Sequence, residues 1–228
     1  MPILKLKKLS KTYTEGKNVE THAVRHIDLE IKKGEFVVVS GPSGSGKTTL
    51  LNLIGGLDAP TSGTIMFNAF KISHLKEKDL AHVRLHNIGF IFQAYNLVPV
   101  LTAKENIEYI MTLQKVAPKI RNERIEKIAH HLGIYNLLHK KPNELSGGQQ
   151  QRIAVARAIV SKPKLILADE PTANLDTHNS ETLLDLMKKL NEEEKVTFIF
   201  STHDPVLIEK AKRNIILKDG KIDKDITV

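Results

Sequence analysis

One stretch of this sequence constrains the fold more than any other, because an apolar run leads through a glycine-rich loop into a helical pattern. Residues 36–39 read FVVV, an uncharged and largely β-branched run that is typical of a buried strand. After the loop, four of the five residues 50–54 are Leu or Ile with helical spacing. A strand, a tight loop and a helix in direct succession predict an α/β fold.

The loop between this strand and helix has a composition suited to phosphate binding. Its residues are Gly41, Pro42, Ser43, Gly44, Ser45, Gly46, Lys47, Thr48 and Thr49. They fit the pattern G-x-x-x-x-G-K-[ST] at every required position. Glycines let backbone N–H groups turn towards an anion, and the following helix adds its positive dipole end. We expect the loop to bind ATP, with Lys47 on the β- and γ-phosphates and the Thr48 hydroxyl on Mg²⁺. The alternative, a plain glycine turn, is disfavoured by the flanking strand and helix.

A second apolar run, residues 165–168, ends in the two carboxylates of Asp169 and Glu170. Ligands of open α/β sheets bind at the carboxyl ends of the strands, so this pair is expected beside the phosphates. One carboxylate can hold the metal, and the other can orient or deprotonate the attacking water. We assign Asp169 to Mg²⁺ and Glu170 to the water, which predicts hydrolysis of Mg·ATP.

Two further runs, residues 88–92 and 196–200, predict additional strands of a mostly parallel sheet. Gln93 follows the first run and His203 follows the second. Both are expected at the phosphate edge, where either could reach the γ-phosphate or its water. Taken alone, each is more typical of a polar residue that only ends a strand.

Helical signals fill residues 94–160, between the predicted strands 88–92 and 165–168. Thr102 and Glu105 form a capping box, and Gly133 ends a second helix. Residues 145–149, LSGGQ, precede a third helix, so Ser146 and two glycine amides are expected at its N-terminus. This is either a second anion site or a simple Ser N-cap. A helical insert of roughly residues 94–160 is therefore predicted to interrupt the sheet.

Composition excludes several classes of protein. The sequence has no Cys, which excludes disulfides and Cys-ligated metal sites. No apolar stretch approaches the roughly 18 residues of a membrane span, and the N-terminus lacks a signal-peptide core, so a soluble, unsecreted chain is expected. The net charge of +8 is compatible with nucleic acid, an anionic membrane surface or merely a solvated basic face, and the scattered Lys and Arg favour the last. With 5% aromatic residues and no Trp, base-stacking recognition of nucleic acid is disfavoured.

Taken together, these motifs resemble the nucleotide-binding subunit of ABC transporters over essentially the whole chain. The residues that carry the resemblance stand in the family's order: the phosphate loop, Gln93, residues 145–152, residues 165–170, residues 173–176 and His203. The resemblance implies one ABC ATPase domain, 1–228, with the RecA-like, mostly parallel sheet of P-loop NTPases. Within it, 1–93 and 161–228 would form the catalytic α/β core with an N-terminal antiparallel β subdomain. Residues 94–160 would form an α-helical subdomain that carries the signature motif.

The same resemblance implies further site residues. Tyr13 would stack on adenine, and the signature residues Ser146, Gly147, Gly148 and Gln149 would close over the γ-phosphate bound by a second copy. Gln93 would contact the metal and the reacting phosphate, and Asp176 would couple the two sites. His203 would act on the γ-phosphate together with Lys47. Because each motif occurs once, the implied active form is a head-to-tail homodimer with two ATP molecules between its subunits.

Residues 95–106 and 147–152 most resemble the subfamily of the lipoprotein-releasing LolD, the macrolide exporter MacB and the division protein FtsE. One departure is Asn174, where Gly or Ala is common. The resemblance implies an integral membrane permease as partner and a cytoplasmic chain peripheral to the inner face of the cell membrane. A soluble ABC ATPase acting on nucleic acid or ribosomes is the alternative, and a nucleotide sensor without hydrolysis is a third hypothesis.

Overall fold

The computed structural model of the chain describes residues 2–16 and 19–227. Its elements, in chain order, are β1 (Pro2–Glu15), β2 (Val19–Lys32), β3 (Phe36–Ser40), α1 (Lys47–Ile54), β4 (Ser62–Phe67), β5 (Phe70–Lys71), α2 (Glu77–Asn87), β6 (Ile88–Ile91), α3 (Ala103–Leu113), α4 (Pro118–His131), α5 (Gly147–Val160), β7 (Leu165–Asp169), α6 (Thr177–Glu194), β8 (Thr197–Ser201), α7 (Pro205–Lys210), β9 (Arg213–Lys218) and β10 (Lys221–Thr227). Two short 3₁₀ turns, Tyr135–Leu137 and Pro142–Glu144, precede α5. The four strands predicted from apolar runs are confirmed as β3, β6, β7 and β8.

The larger sheet has the strand order β10-β9-β3-β8-β7-β6. The strands β9, β3, β8, β7 and β6 are parallel, and β10 closes the sheet as the antiparallel arm of a hairpin with β9. The crossover places β8 between β3 and β7. The two strands that lead into the phosphate loop and the carboxylate pair therefore flank a strand that comes much later in the sequence.

Alternate residues of β3 face two separate apolar cores. Phe36 and Val38 belong to the core formed with α3, α4, α5 and α6, whereas Val37 and Val39 pack towards α1 and the smaller sheet. Strand side chains alternate between the two faces of a sheet, so a strand covered on both faces needs an unbroken apolar run. This is why residues 36–39 are uniformly apolar.

The smaller sheet is antiparallel, with the order β2-β1-β4-β5. The pairing of β1 with β2 is interrupted by register shifts between Leu6 and Leu9 and between Leu9 and Lys11. Each bulge moves later side chains to the opposite face. The sheet packs its inner face on α1 and on the larger sheet, and so brings the N-terminal residues to the phosphate loop.

The helices α3, α4 and α5 lie within residues 94–160. The predicted capping box at the start of α3 is confirmed, because Thr102 accepts from the backbone of Glu105 while the Glu105 side chain accepts from Thr102. Gly133 follows α4 with a φ of 65°, as expected for a glycine that ends a helix. In the described residues 2–16 and 19–227, no helix has the length and apolarity needed to span a membrane.

Candidate functional site

The phosphate loop depends on glycines that no larger residue could replace. Gly41 has a φ of 140°, and a Cβ there would lie 2.1 Å from the Leu217 carbonyl oxygen. Gly46 has a φ of 98°, and its Cβ would lie 2.2 Å from the Ala23 carbonyl oxygen. The chain turns at Gly46 directly into α1, whose first residue is Lys47. The unpaired N–H groups at a helix start are the donors that a phosphate requires.

The side chain of Lys47 is folded back onto this loop. Its Nζ donates to the carbonyl oxygens of Gly41 at 2.9 Å and Pro42 at 3.0 Å, so the ammonium lies inside the curve of the loop. The Ser45 hydroxyl oxygen is buried and has no hydrogen-bond partner among the described residues. Pro42, Ser43 and Gly44 are exposed, and these features together suit a loop that receives a charged, oxygen-rich ligand.

The two predicted metal-binding oxygens lie next to each other. Thr48 Oγ1 donates to Asp169 Oδ1 at 3.1 Å, although 120 residues of chain separate them. The sheet register brings this about, since Ser201 of β8 pairs with Val39 on one side and with Asp169 on the other. Hydroxyl and carboxylate oxygens are the ligands that Mg²⁺ prefers, so the pair fits this ion.

Glu170 is held in an unusual backbone conformation. Its φ is 46°, in the left-handed region that is uncommon for residues other than glycine. The Glu170 N–H donates to the Ser201 carbonyl oxygen at 2.8 Å. Its carboxylate accepts from the Thr202 hydroxyl at 3.0 Å and lies 2.7 Å from His203 Nδ1. The Glu170 side chain is 16% exposed and that of His203 is 76% exposed, so the imidazole is the outer member of the pair.

Gln93 lies in the turn that follows β6, the strand next to β7 in the larger sheet. Its backbone carbonyl accepts from the Asn174 side chain at 2.9 Å. Within the part of the chain that the structure describes, its exposed side chain makes no hydrogen bond with Thr48 or Asp169. Its role at the metal therefore stays a prediction.

The signature residues lie at the start of α5, where Ser146 is exposed and Gly147, Gly148 and Gln149 are half-buried. Ser146 Oγ accepts from the Gln149 N–H at 3.4 Å, and the Gln149 side chain accepts from the Ser146 N–H at 3.1 Å, which makes a second capping box. A Cβ on Gly147 would lie 2.8 Å from the Tyr95 hydroxyl, whereas the nearest atom to a Cβ on Gly148 is 3.6 Å away. Gly147 is thus restricted by its own chain, and Gly148 has room for a methyl group.

Asp176 caps α6 in the segment after the carboxylate pair. Its carboxylate accepts from the Asn179 N–H at 2.9 Å and from the Asn179 side chain at 2.6 Å. These hydrogen bonds, the backbone one first, hold the pKa of Asp176 below its ordinary value. The part of Asp176 in coupling two sites stays a prediction.

Tyr13, the predicted adenine platform, is fixed by its neighbours in β1 and in the loop after α1. Its hydroxyl donates to Asp58 Oδ2 at 2.7 Å, and the Lys11 ammonium lies 4.8 Å from its ring centroid. Burial and the hydrogen bond with Asp58 raise the pKa of the Tyr13 hydroxyl, which a hydrogen bond with Thr49 partly opposes. The ring is 38% exposed and so retains an open surface beside the first turn of α1.

The sequence did not reveal several residues that support this site. Thr202 contacts Glu170, Asp204 contacts Thr172, and the buried Gln151 contacts the carbonyl of Pro171. The polar run STHD after β8 was a signal for Thr202 and Asp204, because it places four polar residues at the carboxyl end of a central strand. Gln151 offered no such signal, since it is one of three consecutive glutamines on α5.

Comparison with known proteins gives a consistent result. The family profile described as "ABC transporter" matches residues 24–173, which is more than half of the chain, and a profile for an AAA domain of a putative AbiEii toxin matches residues 140–209. The ABC transporter ATP-binding protein YxdL of Bacillus subtilis is 46% identical over 224 residues, which are 98% of this chain and 86% of YxdL. The macrolide export ATP-binding/permease protein MacB of Campylobacter jejuni is 45% identical over 92% of this chain and 33% of its own length.

Among solved structures, a dimer of the ATP-binding cassette MJ0796 from Methanocaldococcus jannaschii, bound to ADP and Pi in a post-hydrolysis state, superposes with a TM-score of 0.91. It is 41% identical, and the match covers 98% of both chains. This likeness confirms the predicted P-loop NTPase fold with its antiparallel sheet and helical insert. None of these relatives supports the alternative of an ATPase that acts on nucleic acid or ribosomes.

Proposed function

The chain belongs to the ABC transporter family as an ATP-binding cassette of the type that includes MacB, and we propose that it closes as a head-to-tail dimer on Mg·ATP to move a membrane subunit. Like other ATP-binding subunits of the family, it hydrolyses ATP. In this proposal, residues 94–160 move as one helical unit against the catalytic core.

The observation that carries the proposal is the convergence of three strand ends at one edge of the larger sheet. Ser201 is paired in register with Val39 and with Asp169. The phosphate loop, the carboxylate pair and His203 therefore all follow strand ends that lie side by side. This edge is where ligands of open α/β sheets bind. The chemistry-bearing groups meet there although they are distant in sequence.

Nucleotide binding engages the loop and the start of α1. Backbone N–H groups of the loop and of the first turn of α1 would donate to the phosphates. The Lys47 ammonium would exchange its two carbonyl contacts for phosphate oxygens, which carry a full negative charge. Thr48 and Asp169 would hold Mg²⁺, which supplies positive charge to the phosphates when bound. Tyr13 presents its ring to the adenine.

Hydrolysis requires a base in line with the γ-phosphate. The Glu170 carboxylate accepts a proton from the attacking water while the water oxygen bonds to the γ-phosphorus and the bond to the β,γ-bridging oxygen breaks. The exposed His203 imidazole, 2.7 Å from Glu170, extends beyond the carboxylate towards the γ-phosphate oxygens. ADP and inorganic phosphate are the products.

The second subunit completes the site. Ser146 and the amides of Gly147 and Gly148 form an exposed helix start, a feature that binds anions. The Ser146 hydroxyl is held only by a long bond of 3.4 Å, so it is easily released to a phosphate of the partner copy. Asp176 lies in the exposed segment that follows the carboxylate pair and would report one site's state to the other.

The membrane subunit would dock in a groove beside β6. Apolar side chains line this groove: Leu57, Ile88, Phe90, Phe92, Val98, Tyr109 and Ile110. Tyr109 is 50% exposed and Leu57 is 47% exposed, so the groove presents grouped apolar surface of the kind that a protein partner covers. Phe92, which lines the groove, directly precedes Gln93 in the chain, so a helix seated there would lie near the turn after β6. Docking of this kind would place the chain on the cytoplasmic face of the membrane.

The test uses Glu170→Gln, which retains the shape of the side chain and removes the base. Size-exclusion chromatography with light scattering is run with and without ATP and Mg²⁺. We expect a monomer that becomes a dimer on addition of ATP, because the closed state can no longer hydrolyse its nucleotide. The matched control is the double variant Lys47→Ala with Glu170→Gln, which should stay monomeric. A Glu170→Gln chain that remains monomeric with ATP would contradict the dimer.

A further inference from the structure

Three consecutive residues at the end of β8 hold three atoms of Glu170. The Ser201 carbonyl oxygen accepts from the Glu170 N–H, the Thr202 hydroxyl donates to Oε2, and the His203 Nδ1 lies at Oε1. The left-handed backbone of Glu170 persists only where the surroundings determine it. Residues 201–203 thus fix the backbone N–H and both carboxylate oxygens of Glu170.

The hydrogen bonds around Thr202 fix the direction of its proton. A threonine hydroxyl has one proton to donate and two lone pairs that accept. The Asp204 N–H donates to Thr202 Oγ1 at 3.0 Å, which occupies a lone pair. The proton is therefore directed at Glu170 Oε2, which is the only carboxylate oxygen that Thr202 contacts among the described residues.

Asp204 is in turn anchored to the segment that carries Glu170. Its Oδ2 accepts from the Thr172 hydroxyl at 2.8 Å, and its Oδ1 accepts from the Val206 N–H at 2.9 Å. Thr172 lies two residues after Glu170, so a closed ring of hydrogen bonds joins residues 170–172 to residues 202–204. Thr202 and Thr172 are both buried, at 0% and 4% exposure, and water cannot readily replace either bond.

We propose that Thr202 is the positioning residue that aims the Glu170 carboxylate at the attacking water. His203 holds the other carboxylate oxygen, but its ring is mostly exposed and it must also reach the nucleotide. Thr202 is the buried contact that stays fixed while the imidazole moves. One oxygen of Glu170, Oε2, is thereby pinned, which leaves Oε1 to accept the proton of the water when the imidazole moves to the nucleotide. The proposal rests on the assignment of Glu170 as the base.

The test replaces the hydroxyl by a methyl group of the same size, in Thr202→Val. Because a carboxylate misplaced by about 1 Å costs on the order of a hundredfold in rate, we expect kcat to fall by roughly ten- to a hundredfold. ATP affinity, measured by calorimetry, should stay within about twofold, since Thr202 does not contact the phosphate loop. Thr202→Ser retains the donor and should restore most of kcat.

Thr197→Val is the matched control for burial. Thr197 begins β8, the strand that Thr202 directly follows, and it is equally buried. Its hydroxyl accepts from the Gly34 N–H at 3.0 Å, at the opposite end of the strand from Glu170. Its kcat should remain near that of the natural chain. Should Thr202→Val not fold, Thr202→Ala removes the same donor and carries the same expectation.

Three results would overturn the role of Thr202: an unchanged kcat in Thr202→Val, an equal loss in Thr197→Val, or a loss of ATP affinity that accounts for the lower turnover. In single-turnover measurements, Thr202→Val added to Glu170→Gln should lower the residual rate no further, because the base that it positions is already gone. The assignment of Glu170 as the base is tested independently of Thr202, because it is wrong if Glu170→Gln alone retains turnover.

Discussion

The side-chain amide of Gln151 donates a hydrogen bond of 2.7 Å to the Pro171 carbonyl oxygen. This bond ties α5, the helix that begins with the signature residues, to the backbone directly after Glu170. Gln151 is 1% exposed, and its Oε1 has no hydrogen-bond partner among the described residues. The hydrogen bond to Pro171 is therefore the contact through which this buried polar side chain stabilises the fold.

Gln151→Leu should lower the free energy of unfolding by about 1–3 kcal/mol, because the Pro171 carbonyl loses its partner in a buried position. Loss of the unpartnered Oε1 offsets part of this, so the lower end of the range is expected. Urea titration followed by circular dichroism measures the change. Gln150→Leu is the control, since Gln150 is only partly buried and bonds within its own segment, to Leu145. Equal effects of the two substitutions would refute a special role for the bond to Pro171.

Substitution by alanine should have different effects at the two signature glycines, Gly147 and Gly148. In Gly148→Ala the new methyl group has room, and alanine in a helix gains up to about 1 kcal/mol over glycine, so the monomer should be no less stable. The same methyl group would project into the surface that closes over the partner's phosphate. In the Glu170→Gln background it should therefore abolish the ATP-dependent dimer seen by light scattering.

Gly147→Ala is the comparison for this experiment. Its Cβ would press on the Tyr95 hydroxyl at 2.8 Å, so Tyr95 must shift and thermal stability should fall. A Gly148→Ala chain that still dimerises with ATP would show that the signature surface is not the dimer contact.

Lys47→Ala should reduce ATP affinity by on the order of a hundredfold, which corresponds to the loss of about two charge-assisted hydrogen bonds. Lys47 is buried inside the curve of the loop, and its ammonium is the cation nearest to the expected phosphates. Calorimetry with ATP measures the change. Lys104→Ala removes an exposed cation on α3 and should bind ATP as the natural chain does. Retained affinity in Lys47→Ala would contradict the phosphate site.

Asp58 predicts a pH dependence of stability. Burial alone would raise the pKa of its carboxyl, but hydrogen bonds from Lys11 and Tyr13 outweigh burial and leave this pKa below its ordinary value. A carboxyl with a lowered pKa stabilises the folded chain above its unfolded pKa of about 3.9, and this contribution is lost as the pH falls through the folded pKa.

Asp58→Asn should therefore lower the free energy of unfolding by roughly 1 kcal/mol at pH 7. The difference from the natural chain should shrink as the pH falls through the lowered pKa of Asp58, because the natural carboxyl then becomes protonated as well. Urea titrations at several pH values give the comparison. A difference that does not change with pH would mean that the charge of Asp58 contributes nothing.

The sequence predicted those parts of the molecule whose signals are local. Residues 36–39 needed to be apolar on both faces, the glycine loop needed its positive φ angles, and the capping box at Thr102 and the N-cap at Ser146 are each contained within four residues. In each case the amino acids that determine the structure are adjacent in the chain, so a single sequence suffices.

The remainder depends on contacts between distant segments. The bulges in β1 at Leu6 and Leu9 break the alternation that would have marked two long strands. Nothing adjacent to Glu170 indicates its left-handed backbone, because the cause lies in residues 201–203. The position of the Gln93 side chain depends on the turn after β6, which the strand pattern does not determine. Its part in metal binding remains a prediction.

The position of β8 between β3 and β7 has a consequence for how the protein is made. When a ribosome has synthesised the chain only as far as α6, the strands that bear the phosphate loop and the carboxylate pair have nothing to join them. The central sheet is completed only when residues 197–203 emerge and insert between β3 and β7. The same insertion supplies the residues that hold Glu170 in place. A nascent chain, or one that ends before residues 197–203, therefore has no assembled catalytic centre and cannot consume ATP.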